Sequence, residues 1–210
     1  ENFTPLLPNI ATIGKEEQIG ILKRKIAEIL IGLGLIETST YHLSTKNKQF
    51  KNMNRSEDEI KKELILLIES KTEKDTLRQS LLANAIEVLA ENVDVSYPQK
   101  IFETGKIFFN NAKEETGIGE KEHLCITLCH EKANFTEIKQ TLDYLMKMVN
   151  IQYAIEESMH SSFIDGRCGE IKINNISQGY IGELHPQILK TNKITMPIAA
   201  LEMNLDALKK

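Results

Sequence analysis

Arginine is scarce in this sequence: of 26 basic residues only Arg24, Arg55, Arg78 and Arg167 carry a guanidinium. Cysteine is scarcer, with Cys125, Cys129 and Cys168. So few thiols, in odd number, exclude a disulfide framework and point to a reducing, cytoplasmic setting. No apolar run approaches the roughly 20 residues that span a bilayer, which excludes a membrane helix. No signal peptide is visible, and with Glu1 in place of an initiator Met the chain reads as a piece of something longer. Internal repeats and low-complexity tracts are also lacking. The net charge is −4, so a dominant nucleic-acid surface, which needs clustered Lys and Arg, is not expected, for DNA or for RNA. Any RNA contact is local or belongs to another domain.

What is present is globular in composition, 41% hydrophobic and 27% charged over 210 residues. Residues 1–14 read as an extended lead-in with Pro5, Pro8 and Gly14, and residues 15–210 as one domain. A helix is expected from about Lys15 to Leu33, with Glu16 and Glu17 in a first turn that favours acid. Ile19, Leu22, Ile26, Ile29 and Leu33 form one apolar seam at spacings of three and four. Ile21, Ile31 and Leu35 lie outside that seam and are read as exposed. Ile36 to Leu43 reads as strand. Residues 45–62 read as a polar surface excursion, and Leu64 to Ile68 as a short strand.

Further along, Ser80 to Asn92 predicts a helix, with Leu81, Leu82, Ala85, Val88 and Leu89 facing a core. Lys100 to Phe109 and His123 to His130 predict strands separated by a charged loop over residues 110–121. Asn134, with Glu137 three positions later, heads another helix as in a capping box. Gln152 to Glu156 reads as strand. A hairpin is expected from Gly169–Asn174 and Ser177–Glu183, turning at Asn174-Asn175. Pro186 starts a helical turn after His185, and Pro197 to Asn204 is the last strand. Antiparallel strands with helices between them predict an α+β fold.

Four stretches carry a resemblance. They are Pro5-Leu6-Leu7-Pro8 through Thr12-Ile13-Gly14-Lys15; Leu77-Arg78-Gln79-Ser80-Leu81-Leu82; Tyr97-Pro98-Gln99-Lys100-Ile101-Phe102-Glu103-Thr104-Gly105; and Gly166-Arg167-Cys168-Gly169-Glu170 followed by Gly179-Tyr180-Ile181-Gly182-Glu183-Leu184-His185-Pro186. In order and spacing they resemble the phenylalanyl-tRNA synthetase β-subunit family, in its archaeal and eukaryotic form. The resemblance implies a class II aminoacyl-tRNA synthetase-like core, a mainly antiparallel sheet flanked by helices. It implies a scaffold role, holding a catalytic α subunit in an (αβ)₂ tetramer that loads phenylalanine onto tRNA(Phe) with ATP and Mg²⁺. The first helix and strand form the subunit interface in class II enzymes, which makes Ile19, Leu22, Ile26, Ile29 and Leu33 the candidate interface. Arg78, Glu103, Gly105, Arg167, Glu183 and His185 are the structural motif residues.

A catalytic class II core carries an arginine on the strand after the motif glycine and another near the end of the last motif. A planar guanidinium suits the phosphates of ATP there. This sequence has Phe108-Phe109-Asn110 at the first place and Ala207 at the second. Lys106 offers a point charge, not a fork. The segment alone is therefore expected to be inactive, with no catalytic, cofactor or metal residues of its own.

Other patterns yield plainer readings. Cys125 and Cys129, flanked by His123 and His130, lie about 13 Å apart at ~3.3 Å per strand residue, too far to share a zinc or a disulfide. Cys168 with His185 shows nothing that activates a thiol. Gly117-Ile118-Gly119-Glu120 reads as a hairpin tip. Arg78 and Arg167 are expected to pair with local carboxylates, with Glu103, Asp165 and Glu170 as candidates. Lys46 to Arg55 is the most basic stretch, a solvated loop and the weak candidate for touching RNA. The alternative to the scaffold is a free-standing RNA-binding or regulatory module derived from a synthetase. A self-sufficient ligase is disfavoured by the absent arginines.

Overall fold

A long hairpin organises the molecule. In the computed structural model, which describes residues 3–4, 14–67 and 72–208, strand β4 (Gln99–Asn110) pairs antiparallel with β5 (Ile118–Cys129) over their full length. Both strands outrun the expectation, because the charged loop shrinks to a turn at Asn111–Gly117. Gly117 has φ +73° at that turn, where a side chain is disfavoured. Gly119 is a strand residue, not a tip, and a Cβ there would meet the Phe109 ring.

Helix α1 (Gln18–Gly32) leads into β1 (Ile36–Glu37), which runs parallel to β4 and edges the sheet. The expected strand 36–43 is broken. Its end, β2 (Leu43–Ser44), pairs with β3 (Thr76–Leu77) instead. Helix α4 (Leu81–Glu91) precedes the hairpin, and α5 (Phe135–Val149) follows it. Then come β6 (Ala154–Glu157), β7 (Phe163–Ile173), β8 (Ile176–Leu184), α6 (Pro186–Thr191) and β9 (Ile198–Asn204). The turn between β7 and β8 has Asn174 and Asn175 at φ 52° and 61°, as the Asn pair predicted. The seven-stranded order is β1-β4-β5-β9-β8-β7-β6, antiparallel except at β1. The protein is thus α+β, with a mostly antiparallel sheet flanked by helices.

Strand alternation sends side chains to two layers. Leu124, Ile126 and Leu128 of β5 pack with Ile26 and Leu30 of α1 and with Ile138, Leu142 and Leu145 of α5. Cys125 and Cys129 point the other way, toward Leu82, Ile86 and Leu89 of α4 and Ile188 of α6.

The polar stretch 45–62 is not a loose excursion. It forms α2 (Lys46–Gln49), a 3-10 turn (Lys51–Met53) and α3 (Glu57–Glu63), and it buries Phe50, Met53 and Ile60. Ser56 and Glu59 make a reciprocal capping box at the start of α3. Helix α1 starts later than expected: Glu17 is its N-cap residue, and Glu16 reaches along the helix to Arg24. Leu35, read as exposed, is buried. Most of the lead-in 1–14, and Ile68, lie outside the described residues.

Candidate functional site

The α4 face of the sheet carries a buried polar node. Arg78 follows β3, and its backbone is held on both sides: its N–H donates to His42 O (2.9 Å) and its carbonyl accepts from Phe108 N (3.0 Å). That fixes the guanidinium over β4. Arg78 Nη1 donates to Glu103 Oε1 at 2.7 Å, with side-chain exposures of 2% and 3%. Arg78 Nε donates to Lys106 O (2.7 Å), and Nη1 also reaches Thr40 Oγ1 (2.9 Å). Thr40 donates its hydroxyl to Glu103 Oε2 (2.7 Å) and accepts from Asn84 Nδ2 (2.9 Å). A buried ion pair needs this saturation, because its desolvation rivals its attraction. A Cβ on Gly105 would stand 2.4 Å from Arg78 Nη2, so glycine is required there to let the guanidinium lie flat on the strand. These bonds also explain the broken strand 36–43: Thr40 turns inward to serve Glu103.

A second cluster sits at the start of α4. Glu202 comes from β9, with its side chain 14% exposed. Its carboxylate accepts from Ser80 Oγ (2.6 Å), Leu81 N (3.1 Å) and Leu82 N (2.9 Å). It therefore occupies the positive end of the helix, where free N–H groups and the dipole favour an anion. His123 Nδ1 lies 2.9 Å from Glu202 Oε1. Burial pushes the Glu202 carboxyl upward, but His123, the Ser80 hydroxyl and the Leu82 N–H outweigh it and hold the group below its ordinary value. Ser80, His123 and Glu202 do not form a nucleophilic relay. The carboxylate lies between the other two, so the hydroxyl bonds to an acceptor and not to the imidazole base that would activate it. Gln49 completes the approach, its Oε1 accepting from Gln79 N (3.1 Å) and Ser80 N (3.2 Å).

The residues singled out from sequence fall into separate places. Arg78, Glu103 and Gly105 meet as described. Arg167 pairs with Glu183 (2.5 Å), not with Asp165 or Glu170, and this pair faces the α5 side. Glu183 also accepts from Phe135 N (3.0 Å) at the start of α5. His185 caps α6, its ring accepting from Gln187 N ahead of Pro186. In the α1 seam Ile26 is fully buried, Ile19, Leu22 and Ile29 pack partly into the same core, and Leu33 is exposed. Ile21 and Ile31 are also exposed, and so is Ile36 on the edge strand. The three thiols are buried and free, and burial raises Cys129 and Cys168 to about 11, so all are poor nucleophiles. Lys106 pairs with Glu120.

Sequence reasoning missed Glu202, Thr40, Gln49 and Asn84, and it met His123 only as a neighbour of the two strand thiols, not as the partner of Glu202. One signal was available for Glu202: it is the lone charge inside the apolar run Ile198–Met203. The others are ordinary polar residues whose partners lie far along the chain. An open groove of about 690 Å³ adjoins the Arg78 node, lined by Tyr41, His42, Leu43, Thr72, Glu73 and Lys74, with the His42 carbonyl accepting from Arg78 N.

A family model described as the phenylalanyl tRNA synthetase beta chain CLM domain matches residues 4–205. The chain is similar to the phenylalanine–tRNA ligase beta subunit of Thermococcus sibiricus, at 36% identity over 97% of this chain and 36% of that protein. The beta subunit of Pyrococcus furiosus is 36% identical over 99% of this chain and 37% of its own length. That of Methanocella arvoryzae is 37% identical over 99% and 38%. The chain thus spans a little over a third of the length of these relatives.

Proposed function

The chain belongs to the phenylalanyl-tRNA synthetase β-chain CLM domain family, and from that premise we propose that it is a non-catalytic, class II synthetase-like core acting as scaffold for a catalytic α subunit. On this reading residues 15–210 are the core domain and the lead-in joins it to upstream domains. The assembly is a cytoplasmic (αβ)₂ tetramer that loads tRNA(Phe) with phenylalanine, using ATP and Mg²⁺ bound by α.

The observation that carries the proposal is that the α4 face is filled from within. The anion position at the start of α4 holds the Glu202 carboxylate, Arg78 is spent on Glu103, Thr40 and the Lys106 carbonyl, and Arg55, on the same side of the sheet, is spent on Glu59 and Glu63. The positions that would grip phosphates read Phe108-Phe109-Asn110 and Ala207. The residues present do not fit a nucleotide, and we derive no chemical step through one. The free-standing RNA module gains no comparable support.

The docking surface follows from burial. The inner seam of α1 is committed to the core, so the partner would meet Leu33 with Ile21, Ile31 and Ile36. In the β chain carrying Ile31→Asp and Ile36→Asp, light scattering after co-expression with α should find separate subunits with β still folded. A tetramer that survives both charges would place the interface elsewhere. ATP–pyrophosphate exchange by the β chain alone would overturn the non-catalytic reading.

A further inference from the structure

Two stretches of this acidic chain contain no acid at all: residues 45–55, with Lys46, Lys48, Lys51 and Arg55, and residues 185–197, with Lys190 and Lys193. They are far apart in sequence. The fold joins them, because α6 packs against the 3-10 turn Lys51–Met53 and Asn192 Nδ2 reaches Asn52 O at 3.5 Å. Two of the six cations are already neutralised. Lys48 pairs with Glu87, and Arg55 pairs with Glu59 and Glu63. Lys46, Lys51, Lys190 and Lys193 are exposed and have no acidic partner among the described residues.

Such a patch suits one class of ligand. Exposed ammonium groups without acidic partners bind phosphates through counterion release and without reading sequence. Exposed amides at Asn47 and Gln187 add donors of the kind that contact a nucleic-acid backbone. A protein partner or a lipid surface would want an apolar anchor. Among the described residues no exposed large hydrophobic falls in either stretch; the exposed ones include Ile31, Ile36, Tyr41 and Met159, all outside them.

We propose that Lys46, Lys51, Lys190 and Lys193 form a contact surface for an RNA phosphate backbone, and, resting on the scaffold reading above, that this RNA is the tRNA substrate. The test uses the α–β assembly with the four lysines changed to alanine, and a control with Lys139→Ala and Lys147→Ala. Fluorescence anisotropy would follow tRNA binding across a salt series. We expect the affinity at ~0.1 M salt to fall roughly ten-fold or more and the log–log salt slope to become shallower by about 3. Phenylalanine-dependent ATP–pyrophosphate exchange, which needs no tRNA, should stay at the unsubstituted level, as should both readouts in the control. Unchanged affinity and slope with exchange intact would overturn the proposal while leaving the scaffold reading standing. Loss of assembly with α in the four-lysine variant would assign the patch to an acidic protein surface and also overturn it. Failure of the unsubstituted chain to assemble with α at all would instead remove the reading on which the tRNA identity rests.

Discussion

Arg78–Glu103 and Arg167–Glu183 are the same chemical pair at nearly the same distance, 2.7 and 2.5 Å, yet they belong to different parts of the energy balance. The first is 2% and 3% exposed, and Thr40 and the Lys106 carbonyl bond to it. The second leaves Arg167 60% exposed on the opposite face of the sheet. Two helix starts are held in the same way, by Glu202 from β9 at α4 and by Glu183 from β8 at α5, with side chains 14% and 16% exposed. Pair geometry alone therefore does not tell what a guanidinium is for. Burial does: where water cannot replace a lost partner, the pair cannot be dismantled one side at a time.

The sharpest way to break the comparison is to remove the inner carboxylate. Glu103→Ala leaves the Arg78 guanidinium buried and unpaired, and should cost about 3–5 kcal/mol in urea unfolding. Arg78→Met with Glu103→Leu removes both charges and should recover most of that loss. A loss of under about 1 kcal/mol for Glu103→Ala would mean that the node is wetter than its burial implies.

Glu202 gives the next effect and a sign. Its carboxyl is held below the ordinary value near 4.5, so its contribution is present above that pH and is lost as pH falls through the lower folded value. Glu202→Gln keeps the volume but weakens the cap, with an expected cost of about 1–3 kcal/mol at pH 7. The difference between the native chain and Glu202→Gln should shrink as denaturation is followed from pH 6 down toward roughly pH 3. A difference that is flat with pH would remove Glu202 from the charged capping role.

Local rules were legible and distant partners were not. Helices α4 and α5, the Asn174-Asn175 turn and the hairpin strands followed from periodicity and turn chemistry. Pairing of Arg78 with a carboxylate was expected, with Glu103 one of three candidates, although the two residues lie in different stretches of the sequence. Residues 45–62 were misread because the pattern looked polar, while Phe50, Met53 and Ile60 already marked a buried side and Ser56 with Glu59 marked a helix start. Glu202 bonds across more than a hundred residues to Leu81 and Leu82, a contact that no local spacing encodes. Strand 36–43 shows the same override: β propensity is satisfied at its two ends, and Thr40 in the middle is drawn to Glu103.

The outer pair supplies the smallest expected effect and completes the contrast. Arg167→Ala removes one bond from a largely covered carboxylate that keeps the Phe135 N–H, and water reaches the position vacated by the exposed guanidinium. Ion pairs of this kind contribute about 0–1 kcal/mol, and salt screens them. Urea unfolding of Arg167→Ala should therefore fall within about 1 kcal/mol of the native chain, and the gap should narrow toward 1 M salt, where the Debye length is ~3 Å. Removing Glu183 should cost more than removing Arg167, because Glu183→Ala also strips the start of α5 of its acceptor. Equal losses at the two positions would mean that Arg167, despite its exposure, is what holds Glu183 in place. The outer pair would then be a looser copy of the inner one and not a surface contact.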